Sequence, residues 1–156
     1  MPPSPETETF GFLVTDVARL MRQEFDRHIG EAGLGLTPGE ARTLSYAARA
    51  GTVRQSALAE RMGVEAMTLS GYLDRLEARG LVHRTVDPAD RRAKLVHLTE
   101  AAREVLARIR EIGPRARMHV EAAMTPAEWE TLQTLLKRAR KALCEGREDN
   151  RKSSAA

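Results

Sequence analysis

The chain has 156 residues, 42% of them hydrophobic, with 25 lysines and arginines against 22 aspartates and glutamates for a net charge of +3; these are the proportions of one ordinary globular domain with an arm. No apolar run reaches the roughly 18 residues of a membrane span, and the opening MPPSPETETF lacks the basic and apolar regions of a secretory signal, so a cytoplasmic protein is expected. The single cysteine, Cys144, excludes an internal disulfide and a cysteine-rich zinc site, and three Phe, two Tyr and one Trp are too few for a platform that stacks single-stranded nucleic acid.

In chain order, residues 1–7 carry three prolines and read as a flexible leader. From Phe10, apolar residues return at Leu13, Val14, Val17, Leu20 or Met21, and Phe25, the rhythm of an amphipathic helix, until Gly30, Gly33 and Gly35 break it. Thr37-Pro38-Gly39-Glu40 then spells a helix start: a hydroxyl cap, proline at the first helical position and a glutamate to complete the capping box. That helix is predicted to run to about Arg49, before Gly51. Two short helices follow over 55–62 and 66–79, separated by Gly63-Val64-Glu65. After Gly80, alternating runs over 81–86 and 94–98 flank a polar loop, residues 87–93, and predict a β-hairpin. Thr99 is expected to cap a long helix carrying Ala102, Val105, Leu106 and Ile109, with a kink or break at Gly113-Pro114. Thr125-Pro126-Ala127-Glu128 repeats the capping signature and opens a last helix with Trp129, Leu132, Leu136, Ala139 and Leu143 on one stripe. The expected fold class is mainly α, six helices and one hairpin. Seven basic residues against three acidic ones from Lys137 onward make the C-terminal end a solvated basic face and tail.

A short helix, a glycine turn, a second helix and a hairpin with a basic tip form a winged helix-turn-helix. Leu58, Val64, Leu69, Leu73 and Leu76 are expected to face inward, Ala57 and Ala59 to let the two helices cross closely, and Gly63 to supply the tight turn. The opposite face of the second helix carries Met67, Thr68, Ser70, Gly71 and Arg75, small polar groups that can approach base edges and an arginine that can reach base or phosphate. The hairpin tip projects Arg91, Arg92 and Lys94 toward phosphates or a narrow minor groove, with Asp90 orienting an arginine. Arg54, at the entry to the first short helix, joins the candidate DNA contacts.

The segment QSALAERMGVEAMTLSGYLDRLEARGLVHRTVDPADRRAKLVHLTEAA resembles the winged helix-turn-helix core of the MarR/SlyA family of bacterial transcription regulators; DPADRRAKLVHLT, followed directly by a helix, is the specific part. The resemblance covers residues 8–146. It implies a homodimer whose terminal helices interlock, a pseudo-palindromic operator that is usually repressed, and release by a small, often phenolic, ligand. Residue by residue, Ala66 to Arg75 matches the recognition helix, with Thr68, Ser70 and Gly71 where the family reads bases, and Asp90 and Arg92 match its wing acid and arginine. The chain departs from the pattern at Gly71, where many relatives carry arginine, at Met67, where they carry proline, and at Glu65, where a better cap such as serine is usual. On this reading residues 8–146 form one domain. Within it, 52–98 is the DNA-binding lobe and the helices at 8–33, 100–123 and 126–146 serve dimerisation; residues 147–156 are a flexible basic tail.

Dimerisation also follows from the stripes themselves, because a winged core of about 50 residues cannot cover three amphipathic helices, and burial against a second copy would. Phe10, Leu13, Trp129, Leu132, Leu136 and Leu143 are the candidate dimer contacts, and Met21, Phe25, His28 and Tyr46 the candidate effector contacts. Catalysis is not expected: no phosphate-cradling glycine loop, HExxH or GxSxG occurs, and no cofactor or metal is anticipated. His83 and His97 are expected to pair across the hairpin; a metal-responsive regulator would instead use His28 or His119 with nearby carboxylates. A thiol-responsive regulator would need Cys144, whose neighbours Lys141 and Arg147 could lower its pKa, since the first helix has no cysteine. A winged-helix module for protein contacts alone would carry an apolar or acidic recognition face, unlike the polar one here.

Overall fold

The computed structural model describes residues 9–154; the leader expected over 1–7 lies outside them. The chain divides into two compact units, Met1–Ala116 and Arg117–Ala156. The first holds α1 (Phe10–Glu31), α2 (Pro38–Ala50), β1 (Val53–Arg54), α3 (Gln55–Met62), α4 (Ala66–Ala78), β2 (Val82–Asp87), β3 (Asp90–Leu98) and most of α5 (Ala102–Ala122); the second holds the end of α5 and α6 (Pro126–Ser154).

The core of the first unit is built from leucine stripes. Leu58 on α3 and Leu69, Leu73 and Leu76 on α4 are fully buried, together with Leu44 of α2, Val82 of β2 and Val96 of β3. Each such side chain is worth about 1.5–3 kcal/mol relative to exposure. Gly63 ends α3 in the left-handed region at φ 64°, and the Val64 amide donates back to the Ala59 carbonyl at 3.1 Å. This closes the turn and brings Val64 against the core, where it is half-buried. Thr37 and Glu40 form the expected capping box: the Thr37 hydroxyl accepts from the Glu40 amide at 3.3 Å, and the Glu40 carboxylate accepts from the Thr37 amide at 3.1 Å. Thr125 and Glu128 repeat it at the start of α6. Gly39 has a separate task, since a Cβ there would lie 2.3 Å from the Tyr72 ring; its bare backbone lets α4 approach α2.

Several local expectations are corrected. The sheet has three strands in the order β1-β3-β2, with Val53 opposite Val96 and Arg54 opposite Leu95; β1 is too short to leave an alternating pattern. The hairpin loop is only Pro88 and Ala89, because β3 begins at Asp90, and Asp87 closes the turn by accepting from the Ala89 amide at 2.9 Å. Thr99 does not cap α5: its hydroxyl donates to the Gly80 carbonyl at 2.6 Å and its amide to the Leu81 carbonyl, tying the end of β3 to the end of α4. α5 does not break at Gly113-Pro114. Pro114 lacks only its own donor, while Ala102, Leu106, Ile109, Ile112 and Ala116 are buried on either side of that gap. In the second unit α6 continues past Gly146 to Ser154, into residues expected as tail.

Arg84 of β2 clips the hairpin to α4. Its guanidinium reaches Asp74 and Glu77, each at 2.6 Å, and its amide donates to Glu77 at 2.9 Å. The Arg84 hydrogen bond holds the Glu77 carboxyl below the usual carboxylate range. Burial pushes Glu40 up, but hydrogen bonds from Arg75 and Thr37 outweigh it and the net direction is down. Glu128 is lowered by the Thr125 amide.

Two outcomes follow. Groups whose folded pKa is lowered contribute stability that is present above the unfolded value and is lost as pH falls through the folded one. Thermal melts are therefore expected to be level near neutrality and to fall below about pH 4.5; a melting temperature unchanged down to pH 3 contradicts this. Gly39→Ala is expected to cost about 1–3 kcal/mol through the collision with Tyr72, read as a lower urea midpoint at constant slope; an unchanged midpoint contradicts the close approach.

Candidate nucleic-acid interface

Burial of Leu69, Leu73 and Leu76 on one side of α4 leaves the other side outward. Met67 is 86% exposed, Thr68 and Arg75 are exposed, and Ser70 and Gly71 are half-buried. The outward face near the start of the helix is thus formed by short side chains, and Glu65 precedes it without capping it. Backbone amides at that end keep their donors for a ligand.

Beside this face stands the hairpin. Its register steps from Val86 opposite Lys94 to Asp87 opposite Asp90, so Arg91, Arg92 and Ala93 form an insertion in β3 that bows out of the ladder. Arg91, Arg92 and Lys94 are exposed. Asp90 was expected to orient an arginine side chain; instead its carboxylate accepts from the Arg92 backbone amide at 3.1 Å, fixing the chain at the tip and leaving the guanidinium outward. Arg54 is held differently from the wing arginines, since its Nε donates to Asp87 at 2.6 Å. The Ala89 amide is the main influence lowering Asp87, with Arg54 adding to it against partial desolvation.

Between the two elements lies an open cleft of about 490 Å³, lined by Gln55, Ser56, Ser70, Arg84, Arg92 and Lys94 among others. Gln55 Oε1 is buried there with no partner among the described residues. Helix α4, the start of α3 and the wing thus share one concave, basic surface. Arg75, further along α4, faces α2: its Nε donates to Glu40 Oε1 at 2.5 Å and its Cζ lies 5.5 Å from the centre of the Tyr72 ring. Glu40 and Tyr72 were missed as site residues. Glu40 was legible as a capping residue, but nothing local in the sequence ties it to an arginine 35 positions away.

The other candidates fall into separate groups. His83 and His97 sit opposite one another with rings stacked 4.7 Å apart, and His97 also meets the Thr85 hydroxyl at 2.8 Å. Phe25 and Tyr46 pack half-buried against the core, Met21 is half-buried, and His28 lies among Glu24, Arg27 and Glu31 on its own helix. A crevice of about 160 Å³ in the same unit is lined by Ala32, Leu34, Arg108, Glu111, Ile112 and Arg115, none of those four. Phe10 is 73% exposed and Leu13 accompanies it on α1, with Val14, Val17 and Leu20. On α6, Trp129 and Leu132 are half-buried, whereas Leu136 and Leu143 are exposed. Cys144 is a free, exposed thiol. Among the described residues no group of three His, Cys, Asp or Glu side chains could hold a metal ion, and no helix is long and apolar enough to cross a membrane.

Residues 36–94, which contain α2 through the wing, match the model of the MarR family. A putative transcriptional regulatory protein for the hcr operon of Thauera aromatica is 36% identical over 104 residues, covering 67% of this chain and 63% of that protein. The chain spans less than two thirds of the length of such curated relatives. A probable transcriptional regulator from Pseudomonas aeruginosa superposes with a TM-score of 0.60 at 34% identity, over 85% of this chain and 97% of that one. CouR from Rhodococcus jostii RHA1, solved bound to p-coumaroyl-CoA, superposes at 0.66 with 26% identity, over 86% of this chain and 94% of that one. The stacked core, the glycine turn, the bowed wing and these likenesses agree, and the chain belongs to the MarR family of winged helix-turn-helix proteins.

Proposed function

We propose that this protein is a DNA-binding transcriptional regulator, acting in the cytoplasm as a homodimeric repressor that a small phenolic ligand releases from a pseudo-palindromic operator. The observation that carries the reading is the pairing of a small polar helix face with an outward-bowed arginine wing on one side of the same lobe. Met67, Thr68, Ser70 and Gly71 would enter the major groove, where short side chains and helix amides meet base edges and phosphates. Arg91, Arg92 and Lys94 would follow the backbone into the adjacent minor groove. Arg54, half engaged with Asp87, would supply a phosphate contact beside α3.

The dimer is supported by apolar surface that a lone protomer leaves in water: Phe10, Leu13, Val14 and Val17 on α1, and Leu135, Leu136 and Leu143 on α6. Such stripes mark an interaction surface, and a twofold pairing would set two recognition helices about one DNA turn apart. Trp129 and Leu132 belong to the same face of α6. The phenolic ligand is supported by the likeness to a regulator solved with p-coumaroyl-CoA. Met21, Phe25, His28 and Tyr46 are the residues proposed to meet it. It would act through a different affinity for the DNA-bound and free arrangements of the two lobes, since only a differential affinity shifts such an equilibrium.

Arg92→Ala is expected to weaken binding to a selected operator and to a scrambled duplex alike, and to lower the salt-dependence slope by about one. The turn should survive, because Asp90 holds the Arg92 amide and not its side chain. An anisotropy salt titration with an unchanged slope removes the wing from the interface. Leu136→Glu combined with Leu143→Glu, both exposed in the protomer, is expected to give a folded monomer by light scattering; a persistent dimer relocates the interface.

A further inference from the structure

Arg75 is the one long cation on the recognition helix face, and the structure does not leave it free to swing. Its Nε is bound to Glu40 at 2.5 Å, and that carboxylate is only 5% exposed while the Arg75 side chain is 55% exposed. Glu40 is itself fixed from behind: its other oxygen accepts from the Thr37 amide, and its own amide donates to the Thr37 hydroxyl. A second support comes from Tyr72, whose ring flanks the guanidinium and is wedged against the bare backbone of Gly39. One turn before Arg75, a Cβ on Gly71 would lie 3.7 Å from Nη1. Glycine is a destabilising residue inside a helix, and the backbone of Gly71 is not in the left-handed region. A Cβ there would meet Nη1 in ordinary van der Waals contact, which places Gly71 directly beside the Nη edge of the guanidinium.

We infer that Glu40 is a specificity-positioning residue: from α2 it holds Arg75 by the Nε edge, so that the Nη edge, beside Gly71, reads a guanine. This rests on the DNA-binding reading above. The chemistry suits the arrangement. Two parallel Nη donors match the O6 and N7 acceptors that guanine alone presents together in the major groove. A fork already held by a buried carboxylate loses less freedom on binding than one that must be ordered by the base. A phosphate offers the same fork two acceptors but carries no sequence, which gives the test its contrast.

The test selects binding sites from a randomised duplex pool with the wild-type protein, Glu40→Gln, Arg75→Lys, Arg75→Ala and the double variant Glu40→Gln/Arg75→Ala. Glutamine can still accept from the Thr37 amide, so helix α2 keeps its cap. The wild type is expected to enrich a motif with a fixed guanine in each half-site. Arg75→Ala is expected to bind that motif about tenfold more weakly and a scrambled duplex about as well as before. Glu40→Gln should lose preference at that guanine alone, stay folded with a single thermal transition at a lowered melting temperature, and add nothing in the double variant. Arg75→Lys, which keeps the charge without the fork, should lose the same preference while keeping the salt slope. Replacing the guanine by 7-deazaguanine should weaken the wild type and leave Arg75→Ala indifferent. A guanine preference retained in Glu40→Gln, or in Arg75→Lys, overturns the inference, as do equal losses on motif and scrambled duplexes. A wild-type protein that enriches no motif overturns the DNA-binding reading and the inference with it.

Discussion

The burial of one face of α4 is the constraint from which the rest follows. Leu69, Leu73 and Leu76 recur at spacings of four and three and are buried without remainder against Leu44 and Leu58. Three such side chains are worth on the order of 5–9 kcal/mol, comparable to the net stability of a small domain. A rotation of the helix that turned its small polar face inward would forfeit that burial and leave hydroxyls to be satisfied in the core. The surface that α4 shows to solvent is therefore decided by the side it cannot show. Gly63 sets the angle at which the helix enters, and the bare backbone of Gly39 lets it close onto α2 through Tyr72.

Around that core, three of the arginines paired with carboxylates tie the elements of the winged lobe together, and three cations of the wing are outward. Arg84 ties β2 to α4 through Asp74 and Glu77, Arg54 ties β1 to the wing turn through Asp87, and Arg75 ties α4 to α2 through Glu40. Each pair crosses between elements, so it fixes relative placement more than it adds stability. Pairs with exposed members are individually worth little, and the near-complete burial of Glu40 and Asp87 is what makes these two anchors rigid. Removing an arginine from either would leave a desolvated carboxylate behind. In the outward set, Arg91 and Arg92 stand on a bulge that twists them away from the strand ladder, and Lys94 follows it opposite Val86. In one lobe, Arg84 is spent on the scaffold, Arg54 and Arg75 give their Nε to a buried carboxylate, and the wing cations are exposed.

Much of this was legible in the sequence, for physical reasons that differ by element. The two capping boxes are local, four-residue events, and both are formed as spelled. The leucine spacing of α4 identifies its inner face, and with it the outer one. Where the reading failed, the deciding partner was distant or the signal too short. Two residues of β1 cannot show alternation, and the wing tip looked like a seven-residue loop because Arg91-Arg92-Ala93 breaks the alternation while remaining in β3. Pro114 looked like an interruption because its missing donor is visible in the sequence and the buried residues spanning it are not. Thr99 looked like a cap, but α5 begins only at Ala102, and the hydroxyl turns back to donate to the Gly80 carbonyl. The Arg75–Glu40 pair was invisible because each residue already had a sufficient local explanation.

The account stands on α4 and the wing forming one DNA-facing surface, and site-specific photo-crosslinking tests this most directly. A benzophenone amino acid would replace Met67, Arg91 or, as a control, Met118, all of them exposed, in the presence of a duplex selected by the protein. The account predicts covalent adducts with DNA from positions 67 and 91 and none from position 118. Adducts from position 118 equal to those from the other two, or no adduct from either 67 or 91, would contradict it.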